Sequence, residues 1–284
     1  MTISNWYSNS NYFEWQGHQI AFKKEESSKP WLLLIHGFPT ASFDWWEVWE
    51  GLSKDFNLLA PDMIGFGYSD KPSDFPYSIF KQADLIEDLL RNQGITELHI
   101  LAHDYGDTVA QELIARNLDT GEFSLNSVCL LNGGLFPETH QPILIQKLLM
   151  SPIGSLLSRM LNKRKFAKSF GSVFGPKTQL TDQEMTEYWK LVSHKEGHLN
   201  SHKLIRYMAE RKKNRERWVS ALQNCPCKLG LINGPEDPIS GQHMVDRYKE
   251  LIKEDAIWML KRIGHYPQVE DPSGTLTAYR EFNS

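Results

Sequence analysis

Three polar residues, Asp104, Asp237 and His265, follow one another along the chain, each set just after a short apolar run. Two acids and a histidine in that order suit nucleophilic catalysis. One acid attacks, the histidine moves a proton, and the other acid orients the imidazole. Asp104 sits in Ala102-His103-Asp104-Tyr105-Gly106. Small residues around one polar residue, between an apolar run and a helical pattern, mark a nucleophile elbow, usually written G-x-S-x-G. Aspartate stands here where serine is expected. Serine must give up a proton before it attacks, whereas aspartate is already an anion near neutral pH. It can displace a leaving group from a saturated carbon and form an alkyl-enzyme ester. His265 is then free to activate water against that ester, with Asp237 stabilising the imidazolium.

Two backbone donors complete the set. His36-Gly37-Phe38-Pro39 follows the apolar run Trp31–Ile35. In an elbow enzyme such a loop supplies one oxyanion-hole N–H, here that of Phe38, and the residue after the nucleophile, Tyr105, supplies the other. Taken singly, each residue also has a plainer reading. Asp104 could cap a helix, Asp237 could build a turn before Pro238, and His265 could be a surface histidine.

These residues need a scaffold that brings several loops to one place. Continuous apolar runs at Trp31–Ile35, Phe56–Ala60, Leu98–Ala102, Ser127–Leu131, Lys228–Ile232 and Ala256–Leu260 suit strands buried on both faces. Helical patterns at Trp45–Ser53, Ile79–Gln93, Asp107–Asn117 and Gly241–Ile252 alternate with them. That order predicts an α/β fold with a mostly parallel central sheet flanked by helices. Tyr12–Trp15 and His18–Phe22 suit a leading antiparallel hairpin. From about Phe136 to Arg217 strand patterning is lost, which predicts an inserted helical cap over the sheet's carboxyl edge. The expected division is core 1–135, cap 136–217 and core 218–284. "PDMIGFGYSDKP", with Asp62, Gly65 and Gly67, is read as a turn-building loop.

The stretches "LLLIHGFP", "PDMIGFGYSDKP", "LAHDYGDTVAQEL", "GPEDP" and "IGHYPQVEDP" resemble the α/β-hydrolase fold superfamily, in the branch with an aspartate nucleophile. That branch holds epoxide hydrolases and haloalkane dehalogenases. The chain order Asp104, Asp237, His265 is that superfamily's order. "HGFPTASFDWWEVWEGL" and "NGGLFPETHQPILIQKLL" resemble one vertebrate member more closely still. The resemblance bears on the leaving group. Dehalogenases generally bind halide with a Trp after the nucleophile and a nearby Asn or Trp, and Tyr105 and Phe38 occupy those places here. Epoxide hydrolases protonate the opening alkoxide with two cap tyrosines. By likeness of "MTEYWKLV" and "HKLIRYMAER" these would be Tyr188 and Tyr207, with hydroxyls converging near Asp104. Epoxide hydrolysis to a diol is therefore the leading expectation. Dehalogenation, ester or β-lactone chemistry, and a catalytically silent ligand- or partner-binding fold are the alternatives.

Composition limits the other classes. The 284 residues carry 40% hydrophobic and 23% charged side chains and a net charge of −4, with no call for a nucleic-acid partner. The N-terminal stretch lacks a signal-peptide pattern, and no apolar run reaches membrane-spanning length. Three cysteines, Cys129, Cys225 and Cys227, form no disulfide framework and suggest a reducing, cytoplasmic setting. A small apolar substrate and no cofactor are expected. His194, His198 and His202 are spaced four apart, but Gly197 and Asn200 interrupt the helix, so zinc is not the preferred reading. "RKKNRER", Arg211 to Arg217, reads as a solvated basic face. Asp107 reads as an acid favoured near a helix N-terminus, with its charge raising the pKa of Asp104.

Overall fold

The computed structural model describes residues 2–252 and 256–284. Eight strands form one sheet: β1 Asn11–Trp15, β2 His18–Glu25, β3 Trp31–Ile35, β4 Asn57–Pro61, β5 Glu97–His103, β6 Ser124–Leu131, β7 Lys228–Asn233 and β8 Ile257–Met259. Their spatial order is β1-β2-β4-β3-β5-β6-β7-β8. β1 pairs antiparallel with β2, and β2 with β4; every other neighbouring pair is parallel. The expected hairpin and all six expected parallel strands are present, with ends shifted by up to three residues.

The continuous apolar runs are buried because helices cover both sheet faces. Side chains alternate across a strand. Leu33, Ile35, Ile100, Ala102, Val128 and Leu130 accordingly enter the core on one side. Leu32, Leu34, Leu101, Cys129 and Leu131 enter the core on the other. Each central strand thus needs apolar residues at successive positions, and β3 reads Trp-Leu-Leu-Leu-Ile for that reason.

Between β6 and β7 the chain adds no strand. It forms a series of helices, among them Leu144–Leu149, Gly154–Arg159, Lys163–Gly171, Asp182–Ser193, Tyr207–Lys213 and Arg215–Gln223. The expected division at residue 217 falls inside Arg215–Gln223, whose Trp218 Nε1 donates to Glu112 on the helix Tyr105–Thr120 at 2.8 Å. That helix flanks the sheet, so Arg215–Gln223 is tied to the core layer along its length.

The turn from β5 into Tyr105–Thr120 is sharp. Asp104 has φ 48° and ψ −101°, a left-sided conformation that non-glycine residues rarely adopt. The helix behind it approaches β3 so closely that a Cβ on Gly106 would lie 2.3 Å from the Ile35 carbonyl oxygen. Gly106→Ala should therefore destabilise the fold by about 1–3 kcal/mol, because the obstacle is backbone and cannot rotate away. Urea unfolding measures this; a loss within the ordinary surface range of about 0.5 kcal/mol would contradict the close approach.

Candidate active site

Four loops at the carboxyl ends of β3, β5, β7 and β8 carry Phe38, Asp104, Asp237 and His265. All four meet. The Phe38 N–H donates to Asp104 Oδ2 at 3.2 Å. His265 Nε2 lies 3.8 Å from the same oxygen, an ion-pair distance too long for a hydrogen bond. On the other side of the ring, His265 Nδ1 donates to Asp237 Oδ2 at 2.7 Å. Tyr105 opens the helix Tyr105–Thr120, where its N–H has no acceptor one turn back. It therefore has no partner within the helix.

Several residues not recognised from sequence hold this arrangement. Asn132, itself at φ 44°, donates to Asp237 Oδ2 at 2.9 Å. Ser240 Oγ donates to the same oxygen at 2.7 Å, and the Ile239 N–H donates to Oδ1 at 2.7 Å. His103 is fully buried; burial and then the charge of His265 push it down to about 3, so it is neutral. Its Nε2 donates to the His265 carbonyl at 2.7 Å and fixes that loop. Tyr266 Oη donates to the Phe38 carbonyl at 3.1 Å.

Arg211 is the largest departure from the sequence reading. Instead of lying on a solvated face, its side chain is 3% exposed and pairs with Asp104 Oδ1 at 3.5 Å. The same guanidinium donates to the Asp104 carbonyl at 2.8 Å and to Thr108 Oγ1 at 2.7 Å. Its Cζ stands 4.4 Å above the Tyr207 ring. The cause is helical spacing. Tyr207, Met208 and Arg211 share the buried face of Tyr207–Lys213, while Lys212 and Lys213 face solvent.

The electrostatics follow from these contacts. Burial pushes Asp104 up, but His265 and Arg211 outweigh it and hold the carboxylate well below its usual range. Burial likewise favours a neutral His265, yet Asp237 and Asp104 flank the ring and push it up to about 10. Asp237 is raised by burial and lowered more by His265 and Asn132, so it stays ionised. Asp107 behaves differently from expectation. Burial first, and the charge of Asp104 second, raise it well above the carboxylate range. Its only partner is the Leu131 N–H at 3.4 Å, and Oδ2 has none among the described residues. Of the two acids, Asp107 therefore holds the proton and Asp104 the charge.

The two tyrosines are placed apart. Tyr207 lies against Tyr105 and Phe38, with ring centroids at 4.8 and 6.1 Å, and burial and then Asp104 raise its phenol. Tyr188 packs on Phe43 and Phe170 at 5.5 and 5.1 Å, and the acid that raises it, after burial, is Asp44. Neither hydroxyl has a hydrogen-bond partner among the described residues. Beside the site, a cavity of about 600 Å³, counting its open mouth, reaches Phe38, His265 and Tyr266. Its walls are mainly apolar, with Ile143, Leu149, Phe166 and Val192 among them.

The remaining candidates fall elsewhere. His194 stacks on Tyr68 at 4.0 Å, His198 packs on Trp189, and His202 Nδ1 bonds the Leu199 carbonyl. Lys195 and Glu196 adopt positive φ between them, so the three rings do not share a face. Asp62 accepts from Tyr7 Oη and from the Ser42 and Tyr68 N–H groups, which tie its loop to the N-terminal segment.

The charge pattern makes a direct prediction. Nitrogen NMR near neutral pH should find both His265 ring nitrogens protonated. Asp104→Asn removes one of the two anions and should move the titration down toward neutrality. A ring already neutral in the unsubstituted protein would contradict the ion triad.

Residues 30–272 match the family described as alpha/beta hydrolase fold. The chain is 40% identical to the mesoderm-specific transcript protein of Mus musculus, over 99% of its own length and 87% of that protein's. It is 33% identical to the putative hydrolase LipZ of Mycobacterium tuberculosis, over 95% of this chain and 94% of that one. Among solved structures, haloalkane dehalogenase DbeA from Bradyrhizobium elkani superposes with a TM-score of 0.82 at 21% identity, covering 97% of both chains. That last likeness speaks for the fold alone. By the match along most of its length and by its near full-length relatives, the chain belongs to the α/β-hydrolase fold family.

Proposed function

We propose that this α/β hydrolase attacks a saturated carbon with Asp104, forming an alkyl-enzyme ester that a His265-activated water hydrolyses. The observation that carries this reading is a buried carboxylate, kept anionic by Arg211 and His265, with the Phe38 N–H on one oxygen. Asp104 Oδ1, held by the longer Arg211 ion pair, is the attacking oxygen. Its attack forms an O–C bond and breaks the bond from that carbon to the leaving atom, which in an epoxide stays on the molecule as an alkoxide. Oδ2 then becomes the ester carbonyl, already against the Phe38 N–H.

Ester formation also times the second step. Once alkylated, Asp104 no longer carries the charge that helped to raise His265. The ring's pKa falls, and it can release its proton to solvent, from which the group that protonates the leaving oxygen is restored, and then act as base. Water adds to Cγ of Asp104, its proton passes to His265, and the oxyanion forms on Oδ2, facing the Phe38 and Tyr105 N–H groups. Collapse breaks the ester, releases an alcohol, and leaves the water's oxygen in the carboxylate.

For the substrate we favour an epoxide on an apolar molecule, opened to a diol within the cap formed by residues 136–217. Tyr207, beside Asp104, supplies the proton that the opening oxygen takes up. The apolar cavity walls suit such a molecule. The dehalogenase reading draws on the likeness in fold, but Tyr105 and Phe38 stand where halide donors would be needed.

Trapping tests the chemistry. His265→Gln should leave attack possible and stop hydrolysis. Mass spectrometry of that variant after exposure to an aliphatic epoxide should show the whole epoxide mass added to the peptide bearing Asp104. An alkyl mass from a bromoalkane, with no adduct from any epoxide, would move the assignment to dehalogenation. No adduct from either class, with the compounds shown to bind, would refute the aspartate mechanism.

The proton donor has its own test. Tyr207→Phe should slow single-turnover epoxide opening about a hundredfold, as loss of an oxyanion donor does elsewhere. Tyr188→Phe, set against Asp44, should change it only a few-fold. Equal rates for Tyr207→Phe and the unsubstituted protein would make Tyr207 a packing residue.

A further inference from the structure

The outer surface of the inserted helices carries a cluster of exposed apolar side chains. Among the described residues, the exposed large hydrophobic side chains are Tyr12, Leu118, Leu144, Met150, Ile153, Leu156 and Met160. The last five lie within one stretch of the insertion. Leu144 is 71% exposed and Leu156 57%, so the larger part of each faces solvent. Clustering of this kind marks an interaction site, whereas scattered exposed hydrophobics do not.

The charge around the cluster is one-sided. From Thr139 to Thr181 the sequence contains no Asp or Glu, yet it carries Lys147, Arg159, Lys163, Arg164, Lys165, Lys168 and Lys177. All seven are exposed. None has a carboxylate partner among the described residues, whereas Arg91, Arg116, Arg215, Arg217, Arg247 and Arg280 are all paired. A cationic patch with protruding Leu, Ile and Met, on a chain of net charge −4, is complementary to an anionic lipid surface. No described helix is long and apolar enough to cross a membrane, so the contact would be interfacial.

The patch is continuous with the cavity. Ile143, Ile145, Leu149 and Leu161 line the cavity beside His265, while their neighbours Leu144, Met150 and Met160 point outward. One wall of short helices, Leu144–Leu149 and Gly154–Arg159, thus has apolar side chains on both sides. A soluble protein gains nothing from the outer set unless something apolar covers it.

We propose that the segment Leu144–Lys168 docks on an anionic lipid bilayer, with Leu144, Ile153, Leu156 and Met160 inserted and the lysines and arginines at the headgroups. A second copy of the chain is the weaker occupant, because a two-fold contact would set these like charges against each other. The docking does not depend on the chemistry at Asp104.

Flotation of the full chain with vesicles tests this. It should float with vesicles of phosphatidylcholine containing one third phosphatidylserine, less with pure phosphatidylcholine, and progressively less as salt rises. Each cation near such a surface contributes about fivefold to partitioning, so Lys163→Glu, Arg164→Glu and Lys165→Glu together should lower binding by more than about a hundredfold. Leu144→Ser, Ile153→Ser, Leu156→Ser and Met160→Ser together should abolish it, with the thermal unfolding curve unchanged. Failure of the unsubstituted protein to float at low salt would overturn the proposal. So would equal flotation of the folded charge-reversed variant. Sedimentation velocity showing a dimer that the serine variant dissolves, without flotation, would identify a self-association face instead and also overturn it.

Discussion

A carboxylate closed off from water has to be neutralised or paired, and Asp104, 3% exposed, is paired. An ionised group buried without partners costs several kcal/mol, enough to consume much of a domain's net stability. Asp104 instead meets the Arg211 guanidinium, the His265 imidazolium and the Phe38 N–H. Each partner comes from a different stretch of chain: the inserted helices, the loop after β8 and the loop after β3. A parallel sheet is the scaffold that makes this possible, because all its strand ends on one side open into the same crevice. The constraint also explains the strained backbone at Asp104. The elbow's φ of 48° projects the carboxylate out of the turn toward all three partners.

Pairing and reactivity pull in opposite directions. A carboxylate held tightly by a cation is a poorer nucleophile than a free one. The geometry divides the load between the two oxygens. Oδ2 faces the Phe38 N–H and His265, while Oδ1 faces Arg211 across a longer 3.5 Å contact. The stronger Arg211 hydrogen bond, at 2.8 Å, goes to the backbone carbonyl of Asp104. Arg211 thus supplies field to the carboxylate and grip to the backbone. Asp107 completes the arrangement by staying protonated. With Asp104 and Asp237 ionised, a third anion in this pocket would have exceeded its two cations, Arg211 and His265. Close packing of Gly133, where a Cβ would lie 2.0 Å from Asp107 Oδ2, leaves that carboxyl no room for a further partner.

What could be read in the sequence was whatever depends on local pattern. β3, β5 and β6 announce themselves because burial on both faces demands unbroken apolar runs. Asp104 was legible because an elbow needs small residues at fixed offsets, and Asp237 and His265 because each follows a strand. Arg211 was not legible. Within Arg211-Lys212-Lys213 nothing but helical phase distinguishes the one buried cation from its exposed neighbours, and phase is fixed by packing against Thr108 and Tyr207. Asn132 was hidden for a similar reason. Its left-handed backbone and its bond to Asp237 join positions 105 residues apart. Tyr188 and Tyr207 look alike as motifs, and only the tertiary structure sets one over Asp44 and the other beside Asp104.

The inserted helices do more than roof the cavity. Tyr207 and Arg211 are one turn apart on the same helix face, so the proposed proton donor and the cation of the nucleophile move as a unit. Glu210 on that helix accepts from the Ile79 N–H at 2.9 Å, which anchors it to the start of Ile79–Asn92 in the core layer. The next helix is anchored as well, through Glu112 to Arg217 and Trp218. This end of the insertion is therefore fixed to the sheet. The other end, from Leu144 to Lys168, carries the exposed hydrophobic and cationic side chains and has no ion pair to the core among the described residues. That end is held by apolar packing instead, with Leu149 and Phe166 buried, so a rearrangement there would leave Arg211 in place. Were the anchored end to lift instead, Asp104 would lose its guanidinium while still buried. Its advantage over Asp107 in holding the charge would shrink, and the nucleophile would be weakened. The division of the insertion into an end anchored by charge and hydrogen bonds and an end held by apolar packing follows from which half must keep a buried anion paired.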